Sequence, residues 1–307
     1  MPTQAASSEE FLHPGGNHVQ VVTPPWEERW LELAGGRMRY LQAGRGRALI
    51  LVHGLLGFSF SWRFSIPALA PHATVFAIDN LGAGYSVAPA GMNCSMRATA
   101  QRLLQFVDAA GIGEFDLLGT SHGGAVAMLA AALSAERRDP RLQRLILVAP
   151  VNPWSGHGRL LAPLLGSAAG GALFLRTVAR WRFLDYIWLR RMFGDGRKIP
   201  PDSIEGYRGP VRKNHAYLHG QRIVQTWLAD LVDLEHALPA IAGYPALLVW
   251  GTRDRAVSWR SAARLARNFK DCRLVTFRGA GHLPYEEIPT EFNRTLLEFL
   301  VPPAPPS

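Results

Sequence analysis

Short, nearly unbroken apolar runs recur along this chain: ALILV at residues 48–52, ATVFAI at 73–78, FDLLG at 115–119, LQRLILV at 142–148, ALLVW at 246–250 and RLVTF at 273–277. A strand that is apolar at consecutive positions must be buried on both faces, and a parallel sheet covered by helices on each side provides that burial. Helical patterns lie between these runs. Residues 96–110 carry Leu103, Leu104, Phe106 and Val107 at helical spacing, residues 123–135 are small and apolar, and residues 261–269 and 291–300 complete the set. Residues 29–33 and 38–43 flank Gly35 and Gly36 and read as an antiparallel hairpin entering the sheet. The expected class is α/β, a mostly parallel sheet flanked by helices.

The alternation breaks between about residues 151 and 240, where helical stretches rich in Leu, Ala, Trp and Arg replace the strands. The expected layout is a polar leader (1–25), a first core part (26–151), an inserted helical lid (152–240), a second core part (241–301) and a Pro-rich tail (302–307). Within the insertion, residues 160–175 are uncharged. They fall short of the roughly 18 residues that span a bilayer and contain Pro163, Gly166, Gly170 and Gly171. The first sixteen residues have no apolar stretch of the kind an export signal needs, so the cytoplasm is the default compartment.

At 307 residues and 48% apolar composition the chain has material for one large core. Two cysteines, Cys94 and Cys272, stand in no metal-binding spacing, so neither a disulfide framework nor a zinc site is expected. The net charge of +9 is almost all arginine, and no nucleic-acid recognition motif accompanies it. No nucleic-acid partner is expected. The excess cation is concentrated in the insertion, where Arg176, Arg180, Arg182, Arg190, Arg191, Arg197, Lys198, Arg208, Arg212 and Lys213 face Asp185, Asp195, Asp202 and Glu205. The preferred reading is a solvated helical face whose aromatics, Trp181, Phe183, Tyr186 and Trp188, pack on the core beside Ile187 and Leu189. Steering of an anionic substrate, or contact with an anionic membrane surface, is the second reading. His215, His219 and His236 have no spacing partner that would make a metal site. The sequence leaves the oligomeric state open.

The chemistry concentrates in Gly119-Thr120-Ser121-His122-Gly123-Gly124, which follows the strand at 115–119 and precedes the small-residue helix. A nucleophile on a tight strand-to-helix turn needs small neighbours two positions to either side, and Gly119 and Gly123 supply them. The helix start also favours negative charge at the hydroxyl. With this segment in that context, the chain from Trp26 to Leu300 resembles the α/β-hydrolase family. Three further segments carry the resemblance. His53-Gly54-Leu55-Leu56-Gly57 stands where the family places half of its oxyanion hole, which implies the backbone N–H of Leu55 as one donor and that of His122 as the other. His53 and Gly54 are read as structural. Asp79 to Ser86 is similar to the family's D-x-x-G-x-G-x-S turn and is also read as structural, Asp79 capping backbone amides.

Gly251-Thr252-Arg253-Asp254 and Gly279-Ala280-Gly281-His282-Leu283-Pro284 follow the last two strands and supply an acid and a base in the order Ser, Asp, His. The resemblance implies a serine hydrolase with Ser121 as nucleophile, His282 as general base and Asp254 as its orienting acid, acting through an acyl-enzyme without metal or organic cofactor. Serine rather than aspartate at position 121 argues against the dehalogenase and epoxide-hydrolase branches, which use a carboxylate nucleophile. The expected substrate is a small or medium, fairly apolar carboxylic ester. Two alternatives are a carbon–carbon bond hydrolase of an acidic dienone, with arginines binding its carboxylate, and an inactive ligand-binding module.

Overall fold

The computed structural model describes residues 25–301 apart from 157, 160–161, 178–181 and 212–214. Expectations for the leader, for the Pro-rich tail and for the side chains of residues 180–183, 185, 212, 213 and 215 lie outside the described residues.

Eight strands form one sheet in the order β1-β2-β4-β3-β5-β6-β7-β8. They are β1 (Glu27–Leu33), β2 (Gly36–Ala43), β3 (Ala48–Val52), β4 (Thr74–Ile78), β5 (Phe115–Thr120), β6 (Leu142–Val148), β7 (Ala246–Gly251) and β8 (Cys272–Phe277). β1 and β2 are the expected hairpin, and β2 joins β4 antiparallel. From β4 to β8 every pairing is parallel. All strand carboxyl ends in that block therefore open on one edge of the sheet, where loops can meet.

Alternate residues of the buried strands feed two separate cores. Ile50, Val52, Leu117, Leu147, Leu248 and Trp250 face one side, with Phe106, Val126 and Leu129 against them. Leu49, Leu51, Leu118, Ile146, Leu247 and Val249 face the other, with Trp62, Phe292 and Leu296. The helices that cover these faces are α1 (Ile66–Leu69), α2 (Met96–Ala109), α3 (His122–Glu136), α4 (Ala162–Gly166), α5 (Ala168–Thr177), α6 (Arg182–Met192), α7 (Ser203–Val211), α8 (His215–Ala237), α9 (Ala262–Ala266), α10 (Pro284–Glu287) and α11 (Pro289–Leu300). α3 is buried on all sides from His122 to Ser134, and its run of alanines lets it lie close to β5 and β6 while α2 and α8 pack on its outer side.

The insertion is helical, α4 to α8, between β6 and β7. No helix among the described residues is long and apolar enough to cross a membrane. One expectation is corrected here. Tyr186, Ile187 and Trp188 do not pack on the core but stand 42%, 53% and 46% exposed. Of that group's described side chains only Leu189 is buried, because three successive residues of a helix fan out through about 200° and a single core face cannot receive them all.

Candidate active site

β5 ends at Thr120 and α3 begins at His122, so the single residue between them, Ser121, must turn the chain. It does so at φ 53°, ψ −122°, a conformation that L-residues rarely adopt and that costs about 1–3 kcal/mol. Its backbone is held in compensation. The N–H donates to Val148 O at 2.9 Å, and the carbonyl accepts the N–H groups of Gly124 at 3.0 Å and Val151 at 2.9 Å. The hydroxyl makes no capping bond.

Close packing explains the glycines around it. A Cβ on Gly119 would lie 2.3 Å from Gly123 O, and one on Gly123 would lie 2.3 Å from His53 O. Gly124, which the sequence reading passed over, faces the same constraint against Pro150. A Cβ on Gly54 would lie 3.1 Å from the Ser121 Cβ and 3.7 Å from its Oγ, so the loop after β3 rests against the Ser121 turn.

That loop turns through Gly57 N–H donating to Gly54 O at 3.0 Å, with Leu56 in the left-handed region at φ 59°. The backbone N–H groups of Leu55 and His122 have no hydrogen-bond partner among the described residues. Two unspent amides beside one hydroxyl form an arrangement able to receive a developing oxyanion. His53 is spent elsewhere. Its Nδ1–H donates to Gly54 O at 2.8 Å and its Nε2 accepts the Asn80 N–H at 3.1 Å, while burial holds its pKa below the usual imidazole value. Asp79 accepts the N–H groups of Ser59 at 2.7 Å and Tyr85 at 3.0 Å and pairs with Arg39 at 3.2 Å. It organises the glycine turn.

At the far strands, His282 Nδ1 lies 2.7 Å from Asp254 Oδ2, both side chains almost wholly buried. The other carboxylate oxygen, Oδ1, accepts the N–H groups of Ala256 at 2.7 Å and Val257 at 2.9 Å. A carboxylate only accepts, so the Nδ1 proton belongs to the imidazole and Nε2 presents a lone pair. The loop that carries His282 is anchored by Arg253 N–H to Ala280 O at 2.9 Å, by Gly279 N–H to Thr252 Oγ1 at 2.9 Å and by His282 N–H to Met192 O at 2.6 Å. Thus Asp254 and His282 are brought into direct contact. Ser121 and His282 are not hydrogen-bonded to one another among the described residues.

The insertion contributes contacts that no sequence motif marks. The Trp227 ring of α8 stacks over the His122 ring at 6.2 Å and 21°, and Gly220 passes so close to Leu56 that a Cβ there would stand 2.9 Å from its Cδ2. His219 Nδ1 lies 3.6 Å from Cys94 Sγ. Burial, reinforced by His219 and His53, pushes the His122 imidazole down to about 3, and burial, with His53 the next cause, takes His219 to about 4. Both rings are neutral at pH 7. On the other side, Glu287 accepts the N–H groups of Gly281, Gly194 and Asp195, and Glu286 takes Arg63 at 2.9 Å and the Tyr207 hydroxyl. No local pattern marks these partners; a Trp and two Glu acquire their role only through contacts across 6 to 223 residues. Among the described residues no group of three or more His, Cys, Asp or Glu side chains is placed to share a metal ion.

The sequence matches the alpha/beta hydrolase fold family over residues 47–289. Among curated proteins it is 28% identical over 287 residues to haloalkane dehalogenase 2 of Mycobacterium tuberculosis, with 89% of this chain and 95% of that one covered. It is also 28% identical over 258 residues to the N-formylmaleamate deformylase of Pseudomonas putida, covering 83% and 89%. Among solved structures, the epoxide hydrolase CorEH without ligand superposes with a TM-score of 0.74 at 22% identity, over 90% of this chain and 99% of that one. The matched region runs from the residue before β3 to the first residue of α11 and takes in the Ser121, Asp254 and His282 loops, so the chain belongs to the α/β-hydrolase fold family and is an enzyme of the hydrolase kind.

Proposed function

We propose that the protein cleaves a carboxylic ester or related acyl bond through Ser121, His282 and Asp254. The observation that carries this reading is the Asp254 to His282 contact, in which the carboxylate is fixed by two further amides and leaves Nε2 of the ring as a base. In this reading the Ser121 hydroxyl meets Nε2 in the substrate complex, a contact of the kind that commonly tightens only when substrate is bound. Attack on the acyl carbon moves the hydroxyl proton to His282 and the negative charge to the carbonyl oxygen, which Leu55 N–H and His122 N–H receive. Collapse of the intermediate expels the alcohol with the proton from His282, and water then repeats the sequence on the acyl-enzyme.

A serine nucleophile separates this chain from an alkyl-halide substrate of the kind its dehalogenase relative is named for. Displacement of halide by a hydroxyl would leave an ether, which has no carbonyl for water to attack, and turnover would stop after one event. The insertion, residues 152–240, would act as a lid, with Trp227 and Leu55 giving the acyl side an apolar wall. Assay against p-nitrophenyl esters of graded chain length tests the proposal, with an acidic dienone as the comparison. Ester turnover abolished by Ser121→Ala supports it; turnover of the dienone alone, or of nothing, contradicts it.

A further inference from the structure

Helix α6 presents an outer face whose large apolar side chains stand exposed among the described residues. Leu189 and Met192, 4% and 6% exposed, define its inner side. Ile187 projects on the opposite side with Tyr186 and Trp188 exposed on its two flanks, and Arg190 and Arg191, both exposed, follow at the helical i+4 positions of Tyr186 and Ile187. Three large apolar groups are thus rimmed by guanidinium groups one turn away. Arg176 and Lys198 add exposed positive charge nearby in sequence, while the exposed Arg197 pairs with Asp195 at 2.8 Å.

We propose that this face of α6 docks on an anionic lipid bilayer. Tyr and Trp rings have an apolar body and a polar edge that suit the headgroup level, while arginine stems lie along the apolar boundary and their heads meet lipid phosphates. The charge argues for a bilayer over a second copy of the chain. A two-fold contact through the same patch would set Arg190 and its neighbours against their own copies in a molecule of net charge +9. A purely electrostatic partner such as a nucleic acid would have no use for the exposed Ile187 and Trp188, which need an apolar phase to enter.

Flotation of the full chain with phosphatidylcholine vesicles, and with vesicles in which about a third of the lipid is phosphatidylglycerol, tests the assignment. The expected result is binding at least tenfold tighter to the anionic vesicles, weakening as salt is raised and surface charge is screened. Ile187→Asp and Trp188→Ala should each lower that binding about tenfold at unchanged Tm, and Arg190→Glu should remove the preference for anionic lipid. Equal binding to both vesicles, or no binding, would overturn the proposal with the unaltered chain alone. So would apolar variants that bind as tightly as the parent, or a dimer that Ile187→Asp dissociates.

Discussion

Glu287 holds Gly281 through a single carboxylate oxygen: Oε2 accepts the Gly281 N–H at 2.7 Å and, at 2.9 Å, the N–H of Gly194. Oε1 takes Asp195 N–H at 2.9 Å. One buried carboxylate therefore clasps the residue before His282 to the segment that ends α6. A Cβ on Gly281 would lie 2.4 Å from Gly194 N, so the two strands of chain are in contact with no room for a side chain between them.

Replacing Glu287 with Ala strands three amides at this junction. The expected cost is about 3 kcal/mol or more, since each buried donor left unpaired costs about 1–3 kcal/mol. Because His282 rides on the released loop, kcat should fall by an order of magnitude or more while KM changes less. Glu287→Gln, which keeps an acceptor oxygen, should recover part of both. Denaturant titration and steady-state kinetics on the same preparations check the pair.

Asp254→Asn should be folded and nearly inactive. Ala256 and Val257 N–H groups demand an acceptor, so the amide oxygen must take the Oδ1 place and turn the NH₂ toward His282. The ring must then accept at Nδ1 and carry its proton on Nε2, where a base is needed. A comparable loss of tautomer in a serine triad lowers kcat roughly ten-thousandfold. The measurement is kcat for the ester on which the proposed function is tested, alongside an unchanged Tm.

Much of the scaffold is legible in the residues themselves. The continuous apolar runs mark β3 and β6 to the residue, and the glycines of residues 119–124 mark the turn after β5. The helix expected over 261–269 is shorter, Ala262–Ala266: a 3₁₀ turn precedes it, and Asn268 Nδ2 donates to Arg264 O and Leu265 O and ends it. What the residues conceal is whatever depends on distant packing. Helical periodicity in α6 does not say which face the core will take, and nothing near Trp227 or Glu287 in sequence foretells their neighbours. The left-handed Leu56 is equally hidden, since no glycine marks its position.

Gly123→Ala should unseat the turn at Ser121. Its Cβ would stand 2.3 Å from His53 O and 2.5 Å from Val52 O, both backbone atoms of β3 and its loop, so α3 or β3 must move. Overpacking of this kind costs about 1–3 kcal/mol and here displaces the Leu55 amide as well. Gly113→Ala, where a Cβ meets nothing within 4 Å, should be near neutral. Thermal melts of the two variants make the comparison.

Stability should fall as pH drops below about 6.5. His122 is neutral in the fold, with its pKa lowered to about 3 by burial, whereas the unfolded chain protonates near 6.5. Its contribution is complete above that value and is lost between about 6.5 and 3, because the unfolded state binds the extra proton throughout that window. Asp230, pushed up to about 6 by burial, works in the opposite direction between about 4 and 6. In His122→Phe the ring can still stack on Trp227, and the pH slope of unfolding free energy below 6.5 should flatten by up to ~1.4 kcal/mol per pH unit. Urea titrations at several pH values give the slope directly.

The reactivity of the Ser121 hydroxyl can be read by treating the folded chain with a fluorophosphonate and mapping the adduct by mass spectrometry. One phosphonyl group on Ser121 is predicted, absent in Ser121→Ala and strongly slowed when His282 is replaced by Ala. A chain that takes no label while fully folded, or that labels equally well without Ser121, would contradict the assignment of this serine as the nucleophile.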